Sequence, residues 1–104
     1  MLLFGLVTMI VTAYSPDCKG CSGVMASGER ADPSAHTVAA DTRYYALGTC
    51  LHLHIPGGRV TVRVTDRGGA IKGPARLDLL VPTQASARAW GVQEIQAHVV
   101  ACPK

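Results

Sequence analysis

The sequence is poor in charge. Of its 104 residues 16% are charged, and only seven are carboxylates. The ten lysines and arginines give a net charge of +3. They are scattered, so no basic run marks a nucleic-acid tail, and no nucleic-acid partner is expected. The mild positive balance suits an anionic polymer. Long hydrophobic runs are also missing. The apolar opening MLLFGLVTMIV falls short of the roughly 20 residues that cross a bilayer, so no stable membrane span is expected. No Lys or Arg precedes it and no convincing small-x-small cleavage site follows. Residues 1–10 therefore read as an apolar lead-in to a buried first strand, with a partial leader as the other reading. There is no Walker loop, no HExxH pair and no dinucleotide fingerprint, so no cofactor or metal chemistry of those kinds is implied. No repeat of fixed period and no linker divides the chain, so residues 11–104 read as one domain, working as a monomer or weak dimer.

What is present is β-chemistry. Hydrophobic residues make up 48% of the chain, far too many for a disordered one. MIVTAY, HTVAA, CLHLHI, RVTVRVTD, RLDLLV and IQAHVVA are short and rich in Val, Ile, Thr and Leu. Several alternate with period two, which predicts half-buried strands. Gly, Pro, Ser and Asp cluster between them in PDCKGCSG, SGERADPS, IPGGR and RGGAIKGPA, where tight bends need them. Pro56-Gly57-Gly58 predicts a hairpin. PTQASARAWG, residues 82–91, predicts the one short helix, started at Pro82 or Thr83 and capped at Gly91. Six strands and a helix in this length predict a mainly β fold, a small closed barrel.

Four cysteines allow three disulfide connectivities. The preferred reading is an oxidising compartment, with Cys50–Cys102 as the long-range bridge and Cys18–Cys21 as a local one. A mixed zinc site with Cys50, His52 and His54 is the other reading, although the alternation in LHLHI places both histidines on one polar strand face. An oxidising setting means a secreted, periplasmic or cell-wall protein, or a phage lysis protein that reaches the wall.

Three aspartates stand in or at the end of predicted strands: Asp41 after HTVAA, Asp66 after RVTVRVT, and Asp78 within RLDLL. A carboxyl group that is partly desolvated, or close to other carboxylates, keeps its proton to higher pH and can act as a general acid. If the barrel brings the three to one side, that is glycosidic-bond chemistry. Each also has an ordinary structural reading. Asp41 can cap the turn DTRYY, Asp66 can bond the RGG turn, and Asp78 can pair with Arg76 across a solvated face.

The order VTAYSP, CKGCSGVMASG, HTVAADTRYYALGT, VTDRGGAIKGPARLDLL, WGVQEIQAHVV resembles the three-aspartate (3D) domain of the stationary-phase survival proteins and of membrane-bound lytic transglycosylase A. The likeness covers roughly residues 11–101. It implies a six-stranded double-psi β-barrel. It also implies cleavage of the β-1,4 bond between N-acetylmuramic acid and N-acetylglucosamine without water, giving a 1,6-anhydro product. The resemblance places the catalytic acid at Asp78, with Asp66 in support. Asp41, Lys72, Gly68, Gly69 and Ser27 are expected on the sugar-binding surface, and the partner is the peptidoglycan glycan strand. Arg67, Leu80 and the run Met25-Ala26-Ser27-Gly28 depart from the family pattern. They leave a second reading, a non-catalytic barrel that binds wall polysaccharide.

Overall fold

The computed structural model describes residues 5–17 and 23–103. Six strands run in chain order: β1 (Val7–Tyr14), β2 (Thr37–Ala40), β3 (Cys50–Ile55), β4 (Gly58–Asp66), β5 (Arg76–Leu80) and β6 (Gln93–Val100). They close a barrel in the order β1-β5-β2-β4-β3-β6. Two joins, β1–β5 and β2–β4, are parallel and the rest antiparallel. All six predicted strands form, each within a few residues of its sequence bounds.

Alternation does the local work. Met9 and Val11, Val38 and Ala40, Leu51 and Leu53, Val62 and Val64, Leu77, and Ile95 and Ala97 turn inward and form the buried core. Every second side chain of a strand points the other way, so Thr12, His52, His54 and Asp78 lie on the outside. At about 25 cal/mol per Å² of apolar surface, burying a side chain as large as Leu51 contributes roughly 1.5–3 kcal/mol.

The β3–β4 hairpin turns through Pro56-Gly57 with Ile55 paired to Gly58, and Gly57 takes φ 89°. The predicted helix is α1 (Gln84–Trp90). Thr83 caps its start in a reciprocal capping box with Ser86, and Gly91 at φ 67° ends it. The helix packs on β1. Its Trp90 indole N–H donates to the Val11 carbonyl at 3.0 Å, next to the last β1–β6 pair, Val11 with Gln93. A 3₁₀ turn at Pro33–Ala35 was not read from the sequence; Asp32 caps it and it ends on His36 in the left-handed region.

Cys50 and Cys102 form the expected long-range disulfide. That bond consumes the Cys50 thiol and sets aside the mixed zinc reading. Cys18 and Cys21 lie outside the described residues. His52 and His54 do share the outer face of β3, where His54 Nε2 lies 3.3 Å from His98 Nδ1 of β6. Among the described residues no helix is long and apolar enough to cross a membrane.

Candidate active site

The two parallel joins bring distant residues side by side. Thr12 on β1 pairs with Asp78 on β5, Asp78 with Ala39 on β2, and Ala39 with Asp66 on β4. The four form one row across the outside of the barrel. With strands about 4.8 Å apart, the backbones of Asp66 and Asp78 are roughly 10 Å from each other.

Asp66 reaches that face through an irregularity. Val62 and Val64 point inward, so strict alternation would also turn Asp66 inward. The β2–β4 register slips instead: Val38 pairs with Val64, and Ala39 with Asp66. The extra residue, Thr65, is fully buried, and its hydroxyl lies 3.1 Å from the Met25 sulfur. A bulge of this kind re-aims the next side chain. Asp66 Oδ1 then accepts from the backbone N–H groups of Ala26 at 3.0 Å and Arg67 at 2.9 Å, and the Tyr14 hydroxyl donates to Oδ2 at 3.3 Å. Ser27 comes close by the same route. Its N–H donates to the Thr65 carbonyl at 2.9 Å, and its hydroxyl accepts from the Glu29 N–H.

Asp78 is half-buried. Its Oδ1 accepts from the Thr12 hydroxyl at 2.8 Å, and Arg76 Nη1 donates in turn to Thr12 Oγ1 at 2.8 Å and to the Leu77 carbonyl at 2.7 Å. Arg76 thus reaches Asp78 by hydrogen bonds through Thr12 rather than by the direct ion pair considered from sequence, and its charge also acts on the carboxyl. Burial raises the Asp78 carboxyl above its ordinary value; the Thr12 hydrogen bond and the Arg76 charge lower it, and the negative charge of Asp66 raises it further. The net direction is upward, toward a protonated acid. Burial, then the charge and hydrogen bond of Asp66, then the charge of Asp78, drive the Tyr14 phenol far above its usual value. Tyr14 therefore keeps its proton and serves Asp66 as a donor.

Asp41 is placed apart from this row. It is 6% exposed, and its carboxylate is occupied. Oδ1 accepts from the Arg43 N–H at 3.1 Å and Nε at 3.0 Å, while Oδ2 accepts from Arg43 Nη2 at 2.6 Å and the Gly73 N–H at 2.9 Å. Those bonds hold it well below the usual carboxylate range, with the Arg43 side chain the largest cause. Asp41 caps the DTRYY turn and ties it to the loop at Gly73. Gly68, Gly69 and Lys72 line the same neighbouring pocket as Asp41. Neither Gly68 nor Gly69 uses a positive φ. Gly68 is small because a Cβ there would come within 3.1 Å of Ile71 Cγ1, in the turn closed by the Ile71 N–H and the Gly68 carbonyl.

Sequence reasoning passed over Thr12 and Tyr14. Thr12 and Tyr14 alternate with the core residue Val11, so their outward direction was legible; their neighbour across the parallel join was not. Two departures from the family pattern, Met25 and Leu80, are buried at 6% and 2% exposure, so they bear more on packing than on the outer face.

Residues 36–101 match the family described as the 3D domain. Two relatives from Bacillus subtilis (strain 168) align over nearly the whole chain. The putative cell wall shaping protein YabE is 32% identical over 91% of this chain and 23% of its own length. The cell wall-binding protein YocH is 33% identical over 90% of this chain and 32% of its own length. The chain thus spans a third or less of each. Among solved structures, the apo expansin of Clavibacter michiganensis superposes with a TM-score of 0.69 at 24% identity, over 96% of this chain and 52% of the expansin. MltA from Escherichia coli, described as a lytic transglycosylase fold, gives 0.61 at 23% identity, over 78% of this chain and 28% of MltA. These likenesses show the fold to be the expected double-psi barrel.

Proposed function

Since the chain belongs to the 3D domain family, we propose that it works at the cell wall, outside the cytoplasm, as a lytic transglycosylase acting on peptidoglycan glycan strands. The observation that carries this reading is Asp78: a half-buried carboxyl on the outer face whose burial and whose neighbour Asp66 favour the protonated form. The relatives named for wall binding and wall shaping support the location, as does the Cys50–Cys102 disulfide, since such bonds persist in oxidising compartments.

In this reading Asp78 donates its proton to the glycosidic oxygen as the bond to the anomeric carbon breaks. Positive charge grows on the sugar ring, and the carboxylate of Asp66, fixed by two backbone N–H groups and Tyr14, stabilises it. Asp78, now ionised, removes the proton from the C6 hydroxyl of the same sugar, whose oxygen bonds to the anomeric carbon. The product is a 1,6-anhydro sugar. The nucleophile is already part of the substrate, so the step gains from proximity and needs no bound water. The test is incubation of the purified chain with sacculi, followed by separation of the released muropeptides. Anhydro-muropeptides are expected, and intact sacculi would rule the reaction out.

A second reading, a wall-polysaccharide binder without catalysis, is favoured by the name of the relative at 33% identity, a cell wall-binding protein. Co-sedimentation with sacculi without anhydro product would establish it in place of the first.

A further inference from the structure

Beside the catalytic row lies a pocket of about 310 Å³ whose lining includes Asp41, Arg43, Arg67, Gly68, Gly69 and Lys72. Its charges do not cancel. Asp41 is bonded to Arg43, so that anion and that cation neutralise each other. Arg67 and Lys72 are exposed, and among the described residues neither forms an ion pair. Three cations against one anion leave the pocket with a net charge of +2. A Cβ at Gly69 would meet nothing within 4 Å, so the missing side chain leaves room rather than relieving a clash. The backbone of Arg67 is tethered to the row itself, because its N–H donates to Asp66 Oδ1 at 2.9 Å.

A glycan backbone of neutral sugars offers two unpaired cations hydroxyl acceptors but no charge to match. The muramoyl residue at the scissile bond, however, carries a peptide stem, and the stem carries carboxylates. A guanidinium presents a planar fork that matches a carboxylate through two parallel hydrogen bonds, and an ammonium adds a point charge beside it. Resting on the wall-glycan reading above, we propose that this pocket is a subsite for a stem-peptide carboxylate, held by Arg67 and Lys72. Asp41 and Arg43 form its fixed wall. The subsite makes the chain a reader of peptide-bearing strands in preference to bare ones.

The experiment compares binding of the full chain to solubilised glycan strands with their stem carboxylates free and to the same strands with those carboxylates converted to amides. The wild type is expected to prefer the strands with free stem carboxylates about tenfold, as two partly exposed ion pairs would give, and the preference shrinks as salt screens them. The Arg67→Gln/Lys72→Gln double variant brings the ratio to about one, and Arg67→Lys keeps part of it, with thermal melts checking the fold. Strands stripped by an amidase expose the lactyl carboxylate of the sugar itself, and they should bind like the amidated strands if the pocket reads the stem; binding as tight as that of the untreated strands would move the carboxylate from the stem to the sugar and overturn the assignment. Equal wild-type affinity for strands with free and with amidated stem carboxylates would remove the subsite and leave the glycan reading standing. Binding to neither would bring down both. A preference that follows attached phosphodiester polymer instead of the stem would overturn the carboxylate assignment.

Discussion

Asp66 and Asp78 both stand opposite Ala39, one on each side of its strand. Neither makes a hydrogen bond to the other; the coupling is through charge. Ala39 keeps the space between them free of a large side chain. The division of labour follows from their different surroundings. Asp66 is held by three donors, whereas Asp78 has one hydroxyl donor.

Asp78→Asn should reduce release of anhydro-muropeptides by at least the roughly 10²–10⁴-fold that a general acid–base residue contributes. The fold should survive, because an amide oxygen can still accept from Thr12. The substitution should even stabilise the protein at neutral pH. A carboxyl raised in the folded state costs stability once ionised, so the gain is present above the unfolded value near 3.8 and vanishes below it. Melts of both proteins across pH, beside the turnover assay, check this.

The alkaline limb of the pH–rate profile should report Asp78 and move with its neighbours. Activity is lost as pH rises through the raised value, because the proton to be donated is gone. Asp66→Asn removes a charge that raises Asp78, so the limb moves to lower pH. Arg76→Gln removes a charge that lowers it, so the limb moves to higher pH. Profiles of kcat/KM for the three proteins decide the signs; shifts in the same direction would contradict the arrangement.

Asp41→Asn should lower the melting temperature at pH 7 by several degrees, since Arg43 loses its carboxylate and the tie to Gly73 is weakened. The folded carboxyl is depressed, so its stabilising effect is present above the unfolded value near 3.8 and is lost as pH falls through the folded one. The deficit relative to wild type therefore narrows on acidification. A deficit that is constant with pH would show that shape, not charge, is at stake.

Replacing Cys50 and Cys102 together by serine should destabilise the chain by about 4 kcal/mol on the chain-entropy account of a loop this long. The bridge spans a separation of 52 residues. Urea unfolding of the two proteins measures the difference, and equal midpoints would exclude a role for the bridge in stability.

Much of this architecture was legible in the chain. LHLHI announces Leu51 and Leu53 inside and the two histidines outside, because a strand's side chains alternate by geometry. Thr83 and Gly91 bracket the helix because the chemistry of caps is local. The row was harder to read. That Asp78 lies outside follows from Leu77, but that it lies beside Thr12 and across from Ala39 depends on parallel joins between distant segments, which no local pattern encodes. Asp66 is the sharper case. Alternation in RVTVRVTD points it inward, and only the slip at Thr65, fixed by pairing with β2, turns it out. Asp41 was legible in its plainer role, since Asp-Thr-Arg-Tyr is the sequence of a side-chain-capped turn.

The parallel joins also govern when the chemistry can begin. Thr12 and Asp78 are 66 positions apart, Tyr14 and Asp66 are 52, and Ala26 and Asp66 are 40. Contacts this distant form late, after the entropy of closing long loops has been overcome. In the unfolded chain Asp41, Asp66 and Asp78 are therefore ordinary solvated aspartates, and no acid is held in its protonated form. On the proposed transglycosylase reading, competence arrives with ring closure, so folding itself is the step that arms the molecule.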